Sequence, residues 1–256
     1  MKANFHTHTY RCHHAIGEDI EYVEAAVERG LSVLGFSDHS PYCFPGGYYS
    51  SFRMTPLEAE GYAASVSALK SAFAGKIKIY MGFEAEYLPE FFPETLELFR
   101  RLGCDYLILG QHFPSREIDE APSAHEDDSE AKLALYVDNV IAAMKTGLFF
   151  YVAHPDIINF SGDIDIYREH MTRLCRAAKD AGVPLELNLL GLRQGRYYPV
   201  EEFWKIVSAV GTEVIFGCDA HRPCDVADPD NIKQAKAFAK RFSLNVVEPK
   251  KPRFLR

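Results

Sequence analysis

Strand-like and helix-like segments alternate along the whole of this chain, and that alternation limits the folds open to it more than any other feature. Short apolar runs fall at 2–5, 31–36, 76–83, 106–109, 148–153, 183–189 and 213–218. Between them lie stretches with apolar residues at helical spacing, as in Ile20, Val23 and Val27 or over 133–144, 167–181 and 199–210. Thr55-Pro56 and Pro93 open helices, and Gly30, Gly103, Gly147 and Gly182 sit where helices should stop. A strand followed by a helix, repeated seven times, predicts a parallel α/β architecture, because parallel neighbours need a crossover connection. No fixed-period repeat, low-complexity tract or break in composition divides the chain. One domain over 1–256 is expected, a size that α/β barrels reach routinely.

The ends of these runs carry the chemistry. Eight of the ten histidines fall in short clusters: His6-Thr7-His8, Cys12-His13-His14, Asp38-His39, His112, His154 and Asp219-Ala220-His221. Histidine is a poor core residue and the commonest metal ligand. In an extended strand residues i and i+2 share a face, so His6 and His8 can reach one ion, and Asp219 and His221 repeat that spacing. His112 and His154 each close a run, and Glu84 ends another. Catalytic groups of parallel barrels sit at the C-terminal ends of strands, where all of these fall. A core hydrogen bond explains one such histidine. Seven of them with two carboxylates point to a multi-metal site.

Composition removes several alternatives. The formal net charge is −8, with 28 basic against 36 acidic residues and no basic block, so nucleic acid is not an expected partner. No apolar run is long enough for a membrane span or a signal peptide. The cysteines at 12, 43, 104, 175, 218 and 224 show no Cys-x-x-Cys pairing and are expected to be reduced thiols in the cytosol. Cys12, Cys218 and Cys224 adjoin the metal-type motifs, but imidazoles and carboxylates already fill the ligand sets.

Two irregular stretches, the aromatic and glycine-rich 41–53 and the acidic 113–128, each follow candidate ligands. They are expected to overhang the site and set substrate specificity. Tyr48, Tyr49 and Phe52 pack either on a substrate ring or on the loop itself. Glu86 shares a face with Glu84 and is expected behind a ligand or at the surface. His125 and His170 are expected in solvent, and Glu126-Asp127-Asp128 in a loop or cap before Ser129.

Taken in order, His6-Thr7-His8, His14, Asp38-His39, Glu84, His112, His154 and Asp219-Ala220-His221 make the chain resemble the PHP phosphoesterases. The resemblance implies a distorted (β/α)7 TIM-like barrel holding three divalent metal ions, with zinc, iron or manganese as the candidates. It implies a first metal on His6, His8, Glu84 and Asp219. A second uses Glu84 as a bridge with His112 and His154, and a third takes His14, His39 and His221. The segments Arg11-Cys12-His13-His14-Ala15-Ile16-Gly17, Ser37-Asp38-His39-Ser40-Pro41 and Asn188-Leu189-Leu190-Gly191-Leu192-Arg193 further resemble the histidinol-phosphatase branch, which selects His14 over His13. Asn4 departs from the family pattern, standing where an aspartate is usual, and this puts ligand orientation and metal affinity in question. Asp38 is expected to orient His39 or another ligand.

Phosphate monoester hydrolysis needs a nucleophile at neutral pH, neutralised phosphoryl oxygens and a stabilised leaving group, and adjacent divalent ions about 3.5–4 Å apart supply these. The expected activity is that of a metal-dependent phosphomonoesterase, most specifically one converting L-histidinol phosphate and water to L-histidinol and phosphate in histidine biosynthesis. A metal-bridging hydroxide would be the nucleophile, with Glu84, Asp219 and His221 as catalytic residues. Arg193 is the first choice for a phosphate clamp, because its planar fork matches two oxygens; Arg196 and Arg116 are weaker candidates. The partner is thus a small phosphorylated substrate. The alternatives are another ester such as a nucleotide or sugar phosphate, a proofreading-type nuclease, a metallohydrolase of C–N bonds and a non-catalytic metal-bound binding module. The acidic balance weighs against the nuclease, and the His14/His39/His221 set against the C–N hydrolase.

Overall fold

The computed structural model describes residues 1–42 and 44–252; Cys43 lies outside the described residues. Eight strands form one sheet in chain order: β1 (Ala3–Asn4), β2 (Val33–His39), β3 (Lys78–Ala85), β4 (Tyr106–Leu109), β5 (Phe149–Val152), β6 (Leu185–Asn188), β7 (Glu213–Gly217) and β8 (Asn245–Val246). Every neighbouring pair is parallel. The sheet curls until the ends of β1 and β7 meet, where Thr7 bridges Ala220 and the His8 N–H donates to the Ala220 carbonyl at 2.9 Å. Seven strands therefore come round a common interior, in the α/β, TIM-like arrangement expected. The eighth was not anticipated: β8 adds two residues against the start of β7, and both are exposed, so no apolar run signals them.

The helices are α1 (Asp19–Glu28), α2 (Pro56–Ala72), α3 (Phe92–Arg101), α4 (Glu130–Lys145), α5 (Ile164–Ala181), α6 (Leu189–Gln194), α7 (Glu201–Val210) and α8 (Pro229–Arg241). Helix α2 starts where Thr55-Pro56 predicts: the Thr55 side chain accepts from the Glu58 N–H, and Glu58 reaches back to the Thr55 N–H. Gly30, Gly103, Gly147 and Gly182 all follow helices at positive φ, as a helix stop requires. Two expectations need correction. In α1, Ile20 and Val27 are exposed, and the buried face is Tyr22, Val23 and Ala26. The large Tyr22 ring decides the rotation, its hydroxyl donating to the Ile16 carbonyl at 2.8 Å. His170 is buried, because it shares the inner face of α5 with Tyr167, Met171 and Leu174; it meets Arg173 at 3.1 Å.

Strands covered on both faces explain the unbroken apolar runs: in β2 and β3 every residue but the first is buried or nearly so. The main core lies between sheet and helices, with Leu34, Phe36, Phe83, Phe99 and Trp204 among its members. A smaller cluster of Phe5, Tyr80, Tyr106, Ile108, Tyr151 and Ile215 fills the interior of the curl. That plug closes the floor beneath the polar side chains at the C-terminal strand ends.

Candidate metal centre

Each strand exit delivers its share of the centre. His6 and His8 follow β1, Asp38 and His39 end β2, Glu84 lies near the end of β3, and Glu86 follows it directly. His112 and His154 lie just past β4 and β5, Glu186 and Asn188 are in β6, and Asp219 and His221 follow β7. His14 arrives differently. A 3-10 turn at Tyr10–Cys12, capped by Thr9, reverses the chain through His13 at φ 66° and swings His14 back over the strand ends.

Glu84 is the hub. Its Oε1 lies 2.7 Å from His154 Nε2 and 3.4 Å from His112 Nε2. Its Oε2 lies 3.5 Å from both His6 Nε2 and His8 Nε2, and 3.2 Å from His39 Nδ1. Asp219 Oδ1 closes the other side, 3.6 Å from His6 Nε2 and 3.2 Å from His8 Nε2. Three histidines are held from behind by carboxylates: His6 Nδ1 donates to Glu186 at 2.8 Å, His112 Nδ1 to Glu86 at 2.9 Å, and His8 Nδ1 approaches Asp38 at 3.4 Å. In each, Nε2 is thereby turned toward the hub. His14 and His221 rest their Nδ1 atoms on the carbonyls of Cys12 and Asp219, and their Nε2 atoms stand 3.0 Å apart.

The donor atoms group as a cation would require. His14, His39 and His221 form one set within 4.8 Å, and His6, His8 and Asp219 another. Glu84 joins His6 with His154 and also His8 with His39. His6 Nε2, His8 Nε2, His39 Nδ1, Glu84 Oε2 and Asp219 Oδ1 are buried without a hydrogen-bond partner. Unpartnered buried polar atoms are costly. Five converging on one cleft fit divalent metal binding.

Protonation divides the centre into two groups of histidines. Burial alone would raise Glu84 and Asp219, but the surrounding histidines outweigh it and hold both well below the usual carboxylate range. Burial and the neighbouring His8 push His39 well down, lower His14, and bring His221 to about 3. Burial would lower His6, His8 and His154 as well, but the carboxylates around them outweigh it and raise all three. A cation needs ionised acids and neutral imidazoles, so binding there would release those protons. The backbone is strained here too: His154 and Asp219 have φ of 28° and 46°.

Several residues sit where the sequence alone did not put them. Glu186 was missed, although the polar alternation Leu185-Glu186-Leu187-Asn188 places both polar residues on one strand face; its Oε2 also accepts from the His154 N–H at 3.0 Å and from Asn188 at 2.9 Å. Asn4 is a backbone clip. Its amide donates to the His6 carbonyl and Thr7 hydroxyl while its oxygen accepts from the His6 and Cys218 N–H groups, so both ends of the amide are used. Asp38 orients His8 and accepts from both Thr9 N–H and hydroxyl. Cys12 Sγ lies in one group with His8 and His221, closer than the sequence implied. Arg193 faces away from the substrate space: its guanidinium donates to the carbonyls of Cys218 and Asp219 and pairs with Asp225 at 3.3 Å. Arg116 is exposed and pairs with Asp119. Arg196, ranked lower, is the arginine that lines the cavity over the centre, a space of about 550 Å³ shared with Phe52, Ile157, Leu190 and Tyr198.

The PHP domain family model matches residues 4–189. The chain belongs to the PHP family. It is 30% identical over 230 residues to a probable histidinol-phosphatase of Deinococcus radiodurans, covering 86% of each chain. With the histidinol-phosphatase of Bacillus subtilis it shares 26% over 261 residues, 88% of this chain and 96% of that one. Among solved structures, the histidinol phosphate phosphatase of Lactococcus lactis subsp. lactis, complexed with zinc, L-histidinol and phosphate, superposes with a TM-score of 0.71 at 18% identity, covering 98% and 97%. This PHP member therefore shares its architecture along nearly its whole length.

Proposed function

We propose that this PHP protein is a metal-dependent phosphomonoesterase that hydrolyses L-histidinol phosphate. The observation that carries the reading is Glu84, whose two oxygens face two different groups of imidazoles at the floor of an open cavity. The resemblance to histidinol-phosphatases over most of the chain supports the substrate.

His6, His8, Glu84 and Asp219 would hold one divalent ion, Glu84, His112 and His154 a second, and His14, His39 and His221 a third. Bound there, zinc, iron or manganese would neutralise phosphoryl oxygens and bring the pKa of a water toward about 7. The residues do the positioning. Glu186, Glu86 and Asp38 lock the ring orientations of His6, His112 and His8. Arg196, steadied by a 2.9 Å hydrogen bond to the Tyr198 hydroxyl, supplies the cation at the cavity wall that we assign to the phosphate. Phe52, Ile157, Leu190 and Tyr198 give the organic half of the ester an aromatic and apolar wall.

The test is phosphate release from L-histidinol phosphate beside a nucleotide and a sugar phosphate, on metal-analysed protein before and after chelation. Strong preference for histidinol phosphate, abolished by chelation and in Glu84→Gln, is the expected result. Equal turnover of all the esters would retain the phosphoesterase chemistry and refute the substrate.

A further inference from the structure

Outside the ligand set, Arg53, at the end of the 41–53 segment, is a buried charge whose hydrogen-bonding capacity is fully used. Its side chain is 3% exposed, and the two carboxylates it meets, Glu86 and Glu117, are 1% and 2% exposed. All five guanidinium donors are used. Nη1 donates to the Ser40 carbonyl at 3.1 Å and to Glu86 Oε2 at 2.9 Å. Nη2 donates to Glu86 Oε1 at 2.9 Å and to Glu117 Oε2 at 2.6 Å, and Nε to Glu117 Oε2 at 2.9 Å. Lysine, with three donors on one point, cannot reproduce that fork.

The partners show what the fork connects. Glu117 belongs to the 113–128 segment, which also folds back on the centre through a 2.7 Å hydrogen bond from the Ser123 N–H to the His112 carbonyl. Glu86 Oε1, gripped by Arg53, is the same oxygen that accepts from His112 Nδ1. Beneath the guanidinium, 4.3 Å away, lies the Phe52 ring. Phe52 lines the cavity and meets His39 edge-on at 5.1 Å and His112 at 5.9 Å. One cation thus touches both long segments, the carboxylate behind one histidine, and the ring that packs on two.

We propose that Arg53 is a positioning residue whose guanidinium joins the 41–53 and 113–128 segments to the carboxylate orienting His112, so that the substrate-facing wall and the metal-ligand set are built as one unit. The inference rests on the metal-dependent phosphomonoesterase reading for its substrate half only. Removing the fork frees Glu86 to turn away from His112 and unfastens Glu117, so metal binding and substrate binding both weaken. Removing only the Glu117 charge loosens the 113–128 segment and leaves the Arg53–Glu86–His112 chain in place.

The test compares Arg53→Lys and Glu117→Gln with wild type in three readouts: zinc affinity by competition with a chromophoric chelator, KM and kcat on L-histidinol phosphate, and melting temperature. Arg53→Lys is expected to lose about 10- to 100-fold in affinity for the zinc held by His112, the usual scale for removing support behind a ligand, and to show a raised KM. Glu117→Gln is expected to raise KM while binding zinc as wild type does. A residue that merely stabilised the fold would shift the melting temperature without separating these two effects. Wild-type zinc affinity in a folded Arg53→Lys overturns the proposal. So does an unchanged KM in Glu117→Gln, an arm that stands even if Arg53→Lys does not fold. If wild type releases no phosphate from the ester, the substrate reading fails by itself, and the zinc measurements still decide the role of Arg53.

Discussion

Gly217→Ala is the sharpest test of how the centre is held. Gly217 ends β7 beside Glu186 in the neighbouring strand β6. A Cβ there would stand 1.6 Å from Glu186 Oε1 and 2.5 Å from its Cδ. Glu186 is fully buried, so its carboxylate must retreat by more than an ångström, and the 2.8 Å bond from His6 Nδ1 to that oxygen breaks. Overpacking of this kind costs roughly 1–3 kcal/mol. A lost hydrogen bond to a charged group adds roughly 1.5–3 kcal/mol. The sum, roughly 3–6 kcal/mol, corresponds to a melting temperature lower by about 6–24 °C for a domain of this size. Zinc affinity should fall about 10- to 100-fold as His6 loses its orientation. Calorimetry and chelator competition read the two effects. Gly61→Ala is the control: the position is exposed in α2 with no neighbouring atom within 4 Å, and alanine there should gain roughly 0.5–1 kcal/mol. A Gly217→Ala protein that melts and binds zinc like wild type would refute the role given to Glu186.

Three further outcomes follow from the same structure. Asp156 is fully buried, and burial lifts its carboxyl to about 6 although it accepts from the Val200 N–H and the Trp204 indole. A raised native pKa favours the protonated form, so its stabilising contribution is complete below about pH 4 and is lost as pH rises through about 6. Asp156→Asn, which keeps an oxygen for both donors, should remove that loss, worth roughly 3 kcal/mol; identical melting profiles from pH 4 to 7 would contradict it. Arg196→Met should lower kcat/KM on L-histidinol phosphate about ten- to hundredfold with zinc content unchanged. Arg193→Met should instead destabilise the turn at Asp219, lowering melting temperature and zinc content together. The reverse pattern would return the phosphate contact to Arg193.

Sequence determined the repeating strand-and-helix frame of this PHP protein, because strands buried on both faces must be continuous apolar runs and helix ends must carry caps and glycines. It also placed the histidines and carboxylates at strand exits, since in a parallel sheet the chain order of the runs fixes which ends share a rim. Three things were decided only in the folded molecule. The rotation of α1 followed the size of Tyr22, which spacing does not weigh. The support behind the ligands came from Glu186 and Glu86, and the fork joining the two long segments from Arg53, residues brought together from strands and segments far apart in the chain. Arg193 and Arg196 differ in placement for a similar reason. They stand three residues apart in sequence, but α6 turns Arg193 under the Asp219 turn and leaves Arg196 on the cavity wall. Residue type announces what chemistry is available, while burial and the direction of each side chain decide which of two like residues performs it.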